Sequence, residues 1–405
     1  MKKAGPLAGV KILDVTSTFL GPYCALLLAQ MGADVIKVEP QSGDVVRTVG
    51  PSRNTGMAAT FVLLNEGKRS ISLDLSTAQG RSVMERLASQ SDVVVHNMRQ
   101  SAAERIGLTY DHLKTVDPRL IVAAAYGFAS GGANDGRPAY DDIVQAESGI
   151  ASLQSIGRST PQYVSSLIAD KTCALAMVFA VVAALYERER VGTGQQIEVP
   201  MYEFMASYTL IEQMWGEVFV PPIAPPVYPR TVSPLRRPYQ TADGTISMML
   251  YTDAHWRIFL NAVGAGWILE DARFSSIAAR TQNIDALYGY LAEELKKRPT
   301  AEWLEFCRKL EVPAAPVRTI AEVIAAFDSA DSEVTHTYEH PTQGVVRGVD
   351  LPIRFRGRTL AHTDQPPPRH SPRLGEHTAE VLSEAGYSQA EIAALVESRI
   401  VFDNH

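Results

Sequence analysis

Asp170 is the carboxylate with the strongest claim to chemistry in this chain. It stands at the head of an apolar run, Leu167-Ile-Ala-Asp170-Lys-Thr-Cys-Ala-Leu-Ala. Unpaired N–H groups at a helix start stabilise an anion, and an ionised carboxylate can be a nucleophile. The same position suits a plain helix cap, for which Asp is a favoured residue type. Taken alone, the position fits a cap more readily than a catalyst, and the two roles can coexist.

Other constellations are weaker. His336 and His340 stand four apart, a spacing that would put both on one face of a helix. No Glu completes an H-E-x-x-H arrangement and no third ligand is evident, so no metal site is assigned. The nearby turn residues suit a solvated loop. Residues 10–39 have the layout of a dinucleotide-binding unit, with Glu39 where a ribose hydroxyl would be held. Its turn, Thr16-Ser17-Thr18-Phe19-Leu20-Gly21, has one glycine where three are needed, so an ordinary α/β crossover is the better reading. No G-x-S-x-G and no P-loop occurs.

The elements that would position these residues follow from hydropathic period. Short stretches at 10–15, 33–38, 92–96 and 120–125, a strictly alternating one at 70–75 and a further one at 196–199 read as strands. Helical spacing over 21–31, and a helix from the capping pattern Ser76-x-x-Gln79 to about residue 89, separate several of them. Strands joined by helix-length connections indicate βαβ units and a parallel sheet. A long apolar helix over 170–190 stops at Gly192-Thr-Gly194. The segment 221–229 holds five prolines in nine residues and reads as a stiff loop or linker. Beyond it, a strand is expected at 245–250 after the turn Asp243-Gly244, with helices at 253–263, 283–297 and 300–310. A last section has strand-like runs at 344–349 and 353–356 and helices at 375–385 and 388–397.

At 405 residues the chain exceeds the size at which a single core stops growing, and two domains are expected. A formal net charge of −7 argues against nucleic acid as the main partner, while leaving room for a local basic site for a small polyanion. Cys24, Cys173 and Cys307 are far apart and make neither a disulfide framework nor C-x-x-C. The N-terminus does not read as a signal peptide, and the most apolar stretch, 173–185, is short for a membrane span. A cytoplasmic protein without a membrane partner is expected.

One ordered set of motifs changes the weight on Asp170. It comprises Pro6-Leu-x-Gly-Val-Lys-Ile-Leu-Asp14, Gly21-Pro22, Gly32-Ala-Asp-Val-Ile-Lys-Val-Glu39-Pro40, Gly43-Asp44-x-x-Arg47 and Gly67-Lys-Arg-Ser-Ile-x-Leu-Asp-Leu75. Asn97-x-Arg99, Arg105-x-Gly107, Arg137-Pro-x-Tyr140-Asp141, Ala169-Asp170, Gly192-x-Gly194-Gln195 and Leu374-Gly-Glu-His-Thr378 follow. In this order and spacing the chain resembles the family III CoA-transferases, the CaiB/BaiF type that includes formyl-CoA transferase and the carnitine CoA-transferases. The match spans nearly its whole length.

The resemblance implies an α/β fold: a doubly wound, Rossmann-like large domain with a smaller α+β domain, in an interlocked homodimer. The implied domains are 1–220 (large, CoA-binding), 230–330 (small) and 335–405 (returning to the large one). Asp170 aligns with the catalytic aspartate. The implied CoA groove uses Phe19, Leu20, Leu73 to Ser76, Asn97, Met98, Arg99, Arg105, Pro138, Ala139, Tyr140 and Asp141. Arg99 and Arg105 make the best physical sense, because guanidinium groups bind phosphates bidentately. Coenzyme A is then a substrate, with no permanently bound cofactor, and the partners are an acyl-CoA donor and a small carboxylic acid. In the implied mechanism CoA becomes a thioester of the aspartate, and backbone N–H groups near the helix start serve as oxyanion donors.

The α-methylacyl-CoA racemases resemble the same fold, and are the alternative. They pair the aspartate with a histidine in a His-Asp dipeptide, where this chain has Tyr140-Asp141. Tyrosine, with an ordinary pKa near 10, is a poor acid–base partner at neutral pH. The formyl-CoA subgroup has glutamine where this chain has Phe19, and a glycine-rich loop where it has the proline-rich segment and Arg230, Arg236 and Arg237. One of these arginines is a candidate to meet the acceptor carboxylate, for instance that of a dicarboxylic acid. A surface charge cluster is the simpler reading of them.

Overall fold

The computed structural model describes residues 5–155, 160–329, 332–355 and 370–403. The chain divides into two compact units. The larger comprises Met1–Ser148, Ser165–Ala206 and Phe327–His405, and the smaller Gly149–Val164 and Ser207–Ala326. The chain thus leaves the larger unit earlier than residue 220, and the insertion 149–164, absent from the sequence reading, goes with the smaller unit. Ile150 and Ala151 are buried there, and the Gln162 amide donates to Ala151 O at 3.2 Å.

In chain order the strands are β1 (Lys11–Val15), β2 (Asp34–Glu39), β3 (Arg69–Leu73), β4 (Val93–His96), β5 (Ile121–Tyr126), β6 (Gln196–Pro200), β7 (Tyr239–Gln240), β8 (Thr245–Met248), β9 (Ala314–Pro316), β10 (Thr335–His340), β11 (Gly344–Val349) and β12 (Val401–Phe402). The larger unit is built on a seven-stranded sheet in the order β12-β3-β2-β1-β4-β5-β6. Strands β1 to β6 run parallel, and β12 adds antiparallel to β3. A parallel sheet is covered on both faces, so its central strands are continuous apolar runs, Val93-Val-Val in β4 and Ile121-Val-Ala-Ala-Ala in β5, all buried. The order reverses between β1 and β4, which is the switch point of a doubly wound sheet.

Three buried ion pairs lie near that switch point: Asp14–Lys68 at 2.8 Å, Lys37–Asp44 at 2.9 Å and Glu39–Arg47 at 2.7 Å. Glu39 is therefore engaged: its carboxylate also accepts from Ser70 Oγ and the Asp44 amide. It is not set out to hold a ribose.

The helix Ile168–Val191 has 24 residues and ends at Gly192 in the left-handed conformation, φ 82°. It is long and apolar enough to cross a membrane on those grounds alone. Here it packs against the first helix, Leu20–Gln30, and Cys173, Ala174, Met177 and Val181 are buried. The other face exposes Leu175, Phe179, Val182 and Tyr186. All three cysteines are free and buried.

In the smaller unit β7, β8 and β9 form an antiparallel sheet. The helices Asp253–Ala262, Ile284–Leu295 and Thr300–Lys309 contribute Trp256, Phe259, Leu291 and Trp303 to a core that also holds Ile246 of β8.

Several local expectations change. The cap of the helix Ala78–Ala88 is Thr77, whose hydroxyl accepts the Gly80 amide, and not Ser76. No strand forms over 353–355, just after Pro352, which lacks a ladder donor; residue 356 lies outside the described residues. His336 and His340 sit on β10 of a hairpin with β11, not on a helix or an open loop. His336 bridges Glu66 at 2.8 Å and Asp350 at 2.9 Å, while His340 Nδ1 accepts the amides of Thr342 and Gln343.

Candidate active site

The ends of β1 and β4 stand side by side, Val15 opposite His96. The chain leaves both strands outward, and the crevice of a doubly wound sheet opens there. A groove of about 190 Å³ at these ends is lined by Ser17, Thr18, Phe19, Leu20, Asn97, Arg99, Tyr126, residues 135–140, Asp170 and Met201. It lies wholly within the larger unit.

Asp170 reaches the groove from the first turn of the helix Ile168–Val191. It is not the helix cap. The N-cap position is Leu167, without a side-chain cap bond. The capping acceptor comes from another helix: Asp141 Oδ1 accepts the amides of Ala169 at 2.8 Å and Asp170 at 3.0 Å. Gln145 Nε2 donates to Asp141 Oδ2 at 2.5 Å. The carboxylate of Asp170 accepts no hydrogen bond from the described residues and is left to face the groove.

Its charge state follows from that environment. Burial first, and then the negative charges of Asp141 and Asp142, push the Asp170 carboxyl up to about 7. A helix start does not keep this carboxylate fully ionised, because its amides already serve Asp141. The remaining first-turn amides are also used, Ile168 N on Ser166 O and Lys171 N on Leu167 O. The expected oxyanion donors at this helix start are thus occupied. The first helix differs. It opens beside the groove with no side-chain cap, and the amides of Leu20 and Gly21 have no acceptor among the described residues. Gly21 is required by packing, since a Cβ there would lie 2.3 Å from Thr16 Cβ.

Of the residues singled out in the sequence, Phe19, Leu20, Asn97, Arg99, Pro138, Ala139 and Tyr140 meet Asp170 around this groove. Arg99 is exposed, with no ion pair among the described residues, and Tyr140 is 69% exposed. Seven do not line it: Leu73 to Ser76, Met98, Arg105 and Asp141. Leu73 is 1% exposed and belongs to the core under β3, and Met98 packs against the same core. Arg105 is exposed in the last turn of the helix Gln100–Arg105. Asp141 is buried behind Asp170 as its cap. The sequence reading missed Ser17, Thr18, Tyr126, Phe128, Arg137 and Met201. For five of them the signal is position, since Ser17, Thr18, Phe128 and Met201 follow the carboxyl ends of β1, β5 and β6, and Tyr126 ends β5, while Arg137 heads the motif that holds Tyr140.

Among the described residues no group of three or more His, Cys, Asp or Glu could hold a metal ion. In the smaller unit Arg230 is half-buried. Its Nη1 donates to Tyr288 Oη at 3.3 Å, and its guanidinium lies 5.2 Å from the Tyr251 ring and 5.8 Å from the Tyr228 ring. Tyr228 in turn stacks on Trp215 at 4.8 Å. Arg236 and Arg237 are exposed, and none of the three arginines pairs with a carboxylate among the described residues.

The sequence model of CoA-transferase family III matches residues 7–378. A succinate–glutarate CoA-transferase of Agrobacterium fabrum is 31% identical over 94% of this chain and 95% of its own. A formyl-CoA:oxalate CoA-transferase of Shigella sonnei is 28% identical over 98% and 99%. The crystal structure of a CaiB/BaiF family protein from Brucella suis superposes with a TM-score of 0.75 at 31% identity, covering 94% of this chain and 99% of that one.

Proposed function

Because the chain belongs to CoA-transferase family III and is a CoA-transferase, we propose that it moves CoA from an acyl-CoA to a carboxylic acid through a thioester on Asp170. The observation that carries this reading is the division of labour between two carboxylates: Asp141 caps the helix, and Asp170 is left in the groove without a hydrogen-bond partner.

In this reading the Asp170 carboxylate attacks the donor thioester carbonyl. The C–S bond breaks, giving a mixed anhydride and CoA thiolate. The thiolate then attacks the aspartyl carbonyl, forming the Asp170–CoA thioester and releasing the donor acid as a carboxylate. The acceptor carboxylate attacks that thioester, and the returning thiolate frees Asp170 and leaves with the acceptor as acyl-CoA. Thioester energy is kept throughout, so no nucleoside triphosphate enters. The Leu20 amide, without an acceptor among the described residues, and the Arg99 guanidinium supply donors for the anionic parts of CoA.

The acceptor in this proposal is a dicarboxylic acid. A relative at 31% identity is named for succinate and glutarate. We assign the protein to the cytoplasm and to a homodimer of interlocked chains. The exposed stripe Leu175, Phe179, Val182 and Tyr186 supports a partner surface, and sedimentation equilibrium of the full chain measures it.

The test is incubation with a panel of acyl-CoAs and mass spectrometry of the peptide bearing Asp170. A CoA or acyl adduct that hydroxylamine removes is expected. Absence of any adduct across the panel would sink the covalent route, and deuterium wash-in beside the thioester without CoA exchange would point to the racemase chemistry instead.

A further inference from the structure

Thr18 has φ 73°, the left-handed region, where a β-branched side chain is crowded. Glycine adopts this conformation without steric cost, yet the chain places threonine there. The surrounding structure holds it. The Thr18 amide donates to Asp44 Oδ1 at 3.1 Å. Asp44 is buried and pairs with Lys37 Nζ at 2.9 Å, and Lys37, fully buried, also donates to Thr16 O at 3.0 Å. On the other side Asn97 takes the Ser17 amide at 3.0 Å and returns a hydrogen bond to Ser17 O at 2.8 Å. The loop 16–19 is therefore clamped along its backbone, while Ser17, Thr18 and Phe19 line the groove.

A buried lysine–aspartate pair is a costly way to hold a surface loop, and strain that the surroundings over-determine marks a site whose shape matters. We propose that Asp44, held by Lys37, is a positioning residue for the CoA groove: by fixing Thr18 in the left-handed conformation it sets where Ser17, Thr18 and Phe19 stand in the groove wall. This rests on the reading of the groove as the CoA site. Asp44 touches no substrate in this scheme. It acts through the backbone of Thr18.

The experiment compares wild type with Asp44→Ala, Asp44→Asn and each of these combined with Thr18→Gly, reading the Kd of coenzyme A by calorimetry and the Tm. Asp44→Ala should weaken CoA binding about tenfold, the weight of one strained backbone conformation. Adding Thr18→Gly should restore most of that affinity without restoring Tm, because glycine needs no partner to adopt a positive φ. If affinity is unchanged in a folded Asp44→Ala protein, or recovers only together with Tm, Asp44 is merely structural and the proposal fails. Should Asp44→Ala not fold, Asp44→Asn, which keeps an oxygen for the Thr18 amide but loses the charge that Lys37 holds, should bind CoA as wild type does or lose affinity that Thr18→Gly restores, and a loss that Thr18→Gly does not restore overturns the proposal. Failure of wild type itself to bind CoA would instead overturn the assignment of the groove.

Discussion

Asp141 Oδ1 accepts the backbone amide of Asp170 at 3.0 Å, so one carboxylate caps the helix turn that carries another. The two negative charges are thereby brought close, and their roles are separated by what each faces. Asp141 faces amides, and Asp170 faces the groove.

Asp170→Asn should abolish both the acyl-CoA adduct and net transfer, a loss of about 10³-fold or more, as for removal of a nucleophile. Its fold should persist, since the Asp170 amide that Asp141 accepts is unchanged. Adduct mass and turnover with any accepted acyl-CoA pair check this. Full activity in the variant would remove Asp170 from the mechanism.

The pH dependence follows from the raised carboxyl. Adduct formation should increase as pH rises through about 7, where Asp170 ionises, and Asp142→Asn should move the midpoint down. The stability consequence has the opposite sign. A carboxyl raised from 3.8 to about 7 contributes stability that is present below 3.8 and lost as pH climbs to about 7. Asp170→Asn should therefore raise Tm relative to wild type at pH 8 and show little gain at pH 4. An equal difference at both pH values would contradict the shift.

Asp141→Ala leaves the amides of Ala169 and Asp170 without their acceptor. Loss of a cap typically costs about 1–2 kcal/mol, which urea denaturation would register. Adduct formation should fall as well, because the turn bearing Asp170 loses its anchor. A stable, fully active Asp141→Ala protein would show that the cap is dispensable.

His336 sits between Glu66 and Asp350, and hydrogen bonds to Asp350 and then to Glu66 raise its pKa to about 10. Such a group contributes stability that is complete below its unfolded value of about 6.5 and lost as pH rises through about 10. The stability gap between wild type and His336→Gln should therefore narrow between pH 6.5 and 10, as followed by thermal unfolding. A gap independent of pH would contradict a charged imidazole at this position.

The parallel sheet was legible because β4 and β5 are apolar runs, β1 and β2 are largely apolar, and the spacers are of helix length, a pattern that burial on both faces demands. The strands β9, β10 and β12 were not, being short or alternating at sheet edges, where neighbours rather than composition decide pairing. Asp170 was found through its motif, but its freedom from capping was not readable, because the competing cap is Asp141, 29 residues earlier in the chain. Leu73 differs: a groove motif and a core strand occupy the same residues, and only the fold tells that its side chain points inward. Asp44 lay in a recognised motif, but its tie to Thr18 depends on two loops meeting across the sheet top.

The larger unit is made from three separate stretches of chain, and the last of them supplies β12, which pairs with β3 more than three hundred residues upstream. During synthesis, which proceeds from the N-terminus, residues 207–326 are complete while the edge beside β3 is still open. Until Val401 and Phe402 emerge, Ser72 and Leu73 present an unpaired strand edge. The sheet therefore keeps an open edge at β3 until Val401 and Phe402 have been made, and closure of that edge comes after residues 207–326 are complete.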